Sequence, residues 1–127
     1  MIHETIYKKL LRIVPDLAEA KFEAKKLKAE GFMDLNIDIL YWDEGHQRCV
    51  IALSHYWKHD SGDMIADPDM EIAIYPSRKL AEALSYQDSF GYRQVYPEPG
   101  KVNPRAKKEL NSFLNLWLSN IISQGHR

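Results

Sequence analysis

A stripe of apolar residues near the C-terminus constrains this chain more than any other feature. Ala106, Leu110, Phe113, Leu114, Trp117, Leu118, Ile121 and Ile122 recur at steps of three and four, the spacing of one helix face. Asn103 precedes the run and can accept a backbone N–H bond at its start. Pro104 needs no donor in the first helical turn, and Gly125 suits the left-handed residue that ends a helix. The spacing predicts a helix over 104–123. Burying Phe113, Leu114, Trp117 or Leu118 contributes about 1.5–3 kcal/mol each. Such a stripe is more often the lid of a small sheet than a free interaction surface.

The material for that sheet lies in the middle of the chain, where the period changes to two. Leu35, Ile37, Ile39 and Tyr41 alternate with Asn36, Asp38, Leu40 and Trp42. Asp43-Glu44-Gly45 offers a turn, with the glycine free to take a positive φ. Cys49, Ile51, Leu53, His55 and Trp57 share one side of the next strand, and Asp60-Ser61-Gly62-Asp63 reads as a second turn. After Asp67-Pro68-Asp69, Met70, Ile72 and Ile74 mark a third strand that Pro76 ends. Residues 78–87 contain good helix formers, with Leu80 and Leu84 four apart. Only Pro76-Ser77 separates them from the preceding strand, which favours a fourth strand ending near Gln87 and a short fifth at Tyr92 to Tyr96.

At the N-terminus, Ile2, Ile6, Leu10, Ile13 and Val14 keep helical spacing until Pro15. Residues 16–29 either resume a helix, with Leu17, Ala20, Ala24 and Leu27 on one side and Gly31 as its stop, or place an edge strand at Ala24–Ala29. Lys21, Lys25, Lys26 and Lys28 there suit a solvated face better than a binding patch. Residues 1–30 are read as mainly helical. The expected fold is α+β: an antiparallel β-meander of four to five strands over 35–96, packed against an N-terminal helix and a long C-terminal helix, in a single domain over 1–127.

Charge and composition remove several functions. Eighteen acids against 17 Lys and Arg give a net charge of -1, and 45% of residues are hydrophobic. That balance argues against disorder and withholds the basic field expected of a nucleic-acid binder. Cys49 is the single cysteine, so no internal disulfide and no Cys-x-x-Cys pair can form. Its apolar setting suits burial better than reactivity. The first residues carry charge and no apolar run approaches the length of a membrane helix, so a cytoplasmic protein without a membrane partner is expected.

Few residues point to a reaction. His55 and His59 have the spacing of a helical metal pair, but on a strand four residues span about 13 Å, too far for one ion. Asp60, Asp63, Asp67, Asp69 and Glu71 are dense around one hairpin without the residue order of a calcium loop. Turn formation accounts for them. Phosphate-binding glycine loops and a nucleophile elbow are absent from the sequence. No metal, cofactor or catalytic residue set is therefore expected.

Several of these segments resemble a known family. Pro68-Asp69-Met70-Glu71-Ile72-Ala73-Ile74-Tyr75-Pro76, Ala81-Glu82-Ala83 and Tyr86-Gln87-Asp88-Ser89-Phe90-Gly91-Tyr92 resemble a small bacterial domain of unknown function found on plasmids and integrative elements. Gly31–Leu35 and Val95–Val102 fit the same pattern. Met70, Tyr75, Ala81-Glu82, Gln87, Tyr96-Pro97 and Asn111-x-Phe113-Leu114-x-x-Trp117-Leu118 are more distantly similar to the YqiB-like family of uncharacterised proteins. Over about residues 31–125, the resemblance implies a four- or five-stranded sheet with a closing helix. It implies no activity.

The aromatic residues are the strongest functional signal. Nine of the 14 fall between Tyr41 and Tyr96, and several alternate away from the apolar face. Tyr56, Tyr75, Tyr86, Tyr92 and Tyr96 accompany Gln87, Arg93, Gln94 and Glu98. Tyrosines beside Arg and Gln suit recognition surfaces, although packing between strands explains them too. The expected role is a non-enzymatic binding or accessory module. Its surface would comprise Tyr75, Tyr86, Gln87, Tyr92, Arg93, Tyr96 and Glu98, facing an unidentified protein partner or small ligand. The alternatives are an enzyme using His55 and Glu82 as acid and base, or a weak single-stranded nucleic-acid binder.

Overall fold

A computed structural model describes residues 1–19, 22–58, 60–62 and 64–127, the side chains of residues 57, 58 and 64–66 excepted. Ala20, Lys21, His59 and Asp63, like the Trp57 side chain, lie outside the described residues. Helix α1 (Ile2–Ile13) is followed by a 3-10 turn at Leu17–Glu19. Six strands come next: β1 (Ala24–Leu27), β2 (Leu35–Asp43), β3 (Arg48–Lys58), β4 (Met64–Tyr75), β5 (Leu80–Asp88) and β6 (Gly91–Gln94). Helix α2 (Pro104–Gln124) closes the fold. The strands form one sheet in chain order, each pair antiparallel.

The α+β class, both helices and the meander are as expected, but among the described residues the sheet has six strands instead of four to five. The extra strand is β1, which corrects the helical reading of 16–29 within 1–30 and bears out the alternative of an edge strand at Ala24–Ala29. Lys25 and Lys26 are tolerable there because β1 is an edge, where lysine discourages pairing with another chain. β4 is longer than expected. It begins at Met64 and passes through Pro68, whose missing N–H falls in an irregular stretch of the ladder between Ser54–Asp69 and Tyr56–Ala66.

One sheet face carries the core. Leu35, Ile37, Cys49, Ile51, Leu53, Met70, Ile72 and Ile74 are buried there with Ile6 and Leu10 of α1 and Leu110, Leu114, Trp117 and Leu118 of α2. Both helices lie over β5, whose inward residues Ala81 and Ala83 are small enough to admit them. The α2 caps match the sequence: Asn103 accepts from Ala106 N–H, and Gly125 ends the helix with φ 82°. No described helix is long and apolar enough to cross a membrane.

A bulge in β5 decides which residues face the helices. The register shifts between Glu71–Ser85 and Ile72–Ala83, so Leu84 is the extra residue. Its carbonyl accepts from Val95 N–H at 2.9 Å, and Ala83 N–H donates instead to Asn111 Oδ1 of α2 at 2.9 Å. Asn111 in turn donates from Nδ2 to Lys107 O. A buried asparagine thus satisfies a backbone donor that the sheet leaves over.

Candidate functional site

The other sheet face lies away from α1 and α2. Along one register row Tyr41, Val50, Ala73 and Glu82 are neighbours, and Val50 and Ala73 are fully buried even on this side. A polar chain runs over them. The Arg48 guanidinium donates from Nε to Asp43 Oδ2 at 3.1 Å and from Nη1 to Tyr75 Oη at 3.2 Å. Tyr75 O–H donates to Glu82 Oε2 at 3.0 Å, and Tyr96 O–H donates to Glu82 Oε1. His46 closes the far end, with its backbone N–H and ring Nδ1 both on the Asp43 carboxylate.

Local structure explains these positions. Arg48, Tyr75 and Glu82 follow the outward alternation of their strands, and none is separated from this site by a bulge. The β2–β3 turn is held by the Asp43 side chain, and its positive φ falls on Gln47 (49°) instead of Gly45. Tyr96 follows β6, where the chain turns back towards α2. Lys101 N–H donates to Glu98 O across Pro99-Gly100, and Asn103 N–H donates to Val95 O. Gly100 has φ +77°, the requirement of the third residue in a type II turn. The result is a strap over the sheet edge.

Between strap and sheet lies a cavity of about 740 Å³, walled by His46, Arg48, Tyr75 and Tyr96, with residues 97–102 at its mouth. Burial pushes the Tyr75 hydroxyl upward, and Glu82 adds to this against the opposing pull of Arg48. Tyr96 moves the same way, from burial first and then Glu82. Both phenols remain neutral donors. Burial raises Asp43, but the hydrogen bonds from His46 and Arg48 outweigh it and hold the carboxyl below its ordinary range. The cavity therefore presents fixed donors, fixed acceptors and aromatic surface together.

The sequence-derived residues separate into two groups. Tyr75, Tyr96 and Glu98 line the cavity, Glu98 with an ion pair to Lys101 at 3.2 Å. Tyr92 is half-exposed on β6 and borders a smaller adjoining space. Gln87 is exposed on β5 opposite Tyr92. Arg93 instead bridges to Glu109 of α2 at 2.8 Å. Tyr86 was expected away from the apolar face. The Leu84 bulge turns it towards α2, where its ring meets Phe113 edge-on at 5.2 Å and its hydroxyl donates to Asp88.

His55 and Glu82 stand on opposite faces of the sheet. His55 is buried on the helix side against Trp117, its Nδ1 on Asp34 O at 3.0 Å, and its ring is 5.8 Å from that of His126. They share no cleft. Among the described residues, no cluster of three or more His, Cys, Asp or Glu has the geometry to hold a metal. Cys49 is buried in β3, and burial raises its thiol pKa. Sequence reasoning overlooked Arg48 and His46 and read Asp43 only as a turn residue. Strand parity alone could have found Arg48, two positions before Val50 on the same face.

No curated protein and no solved structure matches this chain. A family model does, over residues 5–127, which takes in α1 from Thr5 onwards, the described strands, the strap and α2. The chain belongs to the family described as a domain of unknown function, DUF6908.

Proposed function

We propose that this protein is a non-enzymatic binding or accessory module that holds a small molecule or an extended partner segment in the cleft on the bare face of its sheet. The observation that carries this is the makeup of the cleft. Its polar side chains bond chiefly to one another, which holds them in place while their remaining donors and acceptors face the cavity. Tyr75 and Tyr96 supply rigid contact area, and the strap adds residues 97–102 to the lining. The near-neutral charge weighs against nucleic acid as the ligand. A lone buried thiol suits a reducing compartment, so the proposal includes a cytoplasmic protein.

The test is a fragment-library screen on the whole chain, read by amide chemical shifts. Hits should cluster on the amides of His46, Arg48, Tyr96, Glu98 and Gly100–Val102. Tyr96→Ala should remove them while the chain still unfolds in a single cooperative transition, since the residue is 38% exposed. Hits that settle on the helices, or that survive Tyr96→Ala unchanged, would overturn the assignment.

A further inference from the structure

Arg48 and Tyr96 also border a second cavity. Beyond them lies a space of about 220 Å³ whose remaining walls are Glu71, Leu84, Ser85, Tyr92 and Gln94. Glu71 stands on β4 with Ala52 on one side and Ser85 on the other. Ala52 offers it nothing polar, and Ser85 Oγ is 3.4 Å from its Oε2, a long contact. Every other carboxylate around the cleft is already held. Asp43 has Arg48 and His46, Glu98 has Lys101, and Glu82 has two tyrosine hydroxyls.

Glu71 is the exception: among the described residues no cation pairs with it. Arg48 borders the same space, but its Nε and Nη1 are committed to Asp43 and Tyr75. The rest of the wall suits positive charge. Tyr92 and Tyr96 bring aromatic rings, and the Gln94 amide and Ser85 hydroxyl bring acceptors. We propose that this narrow end seats an organic cation, an alkylammonium or guanidinium group belonging to the ligand of the wide cleft. This rests on the bare face being a binding site.

Putrescine serves as a free amine probe and Nα-acetyl-lysine methylamide as a peptide-borne one. Their neutral counterparts are 1,4-butanediol and Nα-acetyl-norleucine methylamide. In amide-detected titrations of the whole chain, the cations should shift Glu71, Ser85 and Gln94 saturably and the neutral compounds should not. Glu71→Gln should weaken the cations about tenfold, as for a lost charge-assisted contact, and Tyr92→Ala about threefold. Tighter putrescine binding identifies a free amine, and tighter acetyl-lysine binding a basic peptide segment. Equal shifts from charged and neutral probes, unchanged affinity in both variants, or no saturable shift from either cation would overturn the cation seat. The wide cleft fails separately, through library hits that avoid His46 and Lys101.

Discussion

The two faces of this sheet handle polar groups in opposite ways. On the helix-covered face, buried polar side chains bond mainly to backbone: Asn111 to Ala83 and Lys107, His55 to Asp34, His126 to Met33 and Ile121. Each satisfies a donor or acceptor near a bulge, a loop or a helix end. On the bare face, side chains bond to side chains, and Arg48, Tyr75 and Tyr96 retain hydrogen-bonding capacity beside open space. A buried polar residue is thus no guide to function by itself. Whether its partner is backbone or another side chain separates the two roles here.

Substitutions on each face put that contrast at risk. The largest effect belongs to the core. Leu114→Ala removes a fully buried side chain between α2 and the sheet and should cost about 2–5 kcal/mol in urea denaturation. Its amide shifts around Arg48 and Tyr96 should stay near wild type; if they collapse with it, the faces are not independent. Asn111→Leu comes next, because it strands the Ala83 N–H under α2. The expected cost is about 1–3 kcal/mol, with faster hydrogen exchange at Ala83, and a neutral result would deny the asparagine its backbone role.

The smallest effect is in pH. Burial beside Trp117, against the raising hydrogen bond to Asp34 and with help from His126, holds His55 below its ordinary pKa of 6.5. The unfolded chain takes up the proton first, so stability present above pH 6.5 is lost as the pH falls towards the folded-state value. Tyr75 behaves oppositely. Its folded pKa is raised above 10, so stability present below pH 10 is lost as the pH climbs through the raised value. His55→Gln should therefore make only the acid limb of the stability profile shallower, and Tyr75→Phe only the alkaline limb, with Asp43 and Tyr96 supplying part of what remains. A variant that flattens both limbs, or neither, would contradict the assignment.

Much of the architecture was legible in the sequence because it follows simple periods. The α2 stripe, its Asn103 and Gly125 ends, and the two-residue alternation over Leu35–Ile39, Cys49–His55 and Met70–Ile74 survive, whereas a register shift after Ile39 takes Tyr41 off the apolar face. The misreadings fall where a period breaks. Tyr86 changes face because of one extra residue at Leu84, and a bulge has no reliable signature without a glycine. β1 is a strand because β2 pairs with it, a tertiary reason that outweighs the lysines. Gln47 takes the positive φ expected of Gly45, two residues further on, in a turn where Asp43 bonds the N–H of His46. Of the cleft, the tyrosines and Glu98 were visible as a cluster. Arg48 looked like any charged residue at the start of a strand, since only folding brings Asp43 and Tyr75 to it.

The order of strands in the sheet has a consequence for biosynthesis. Neighbouring strands are also neighbours along the chain, so each hairpin closes over a short loop and the meander can zip from β1 onwards as it emerges. Its apolar side has no such sequence of partners. α1 is made first and α2 last, and the two lie together over β5. Until Pro104–Gln124 has left the ribosome, Ile51, Leu53, Met70 and Ile72 face water as a row of exposed hydrophobics. The nascent protein is most prone to aggregate in that interval. A chaperone acting on it would find its target on the side that the mature fold hides.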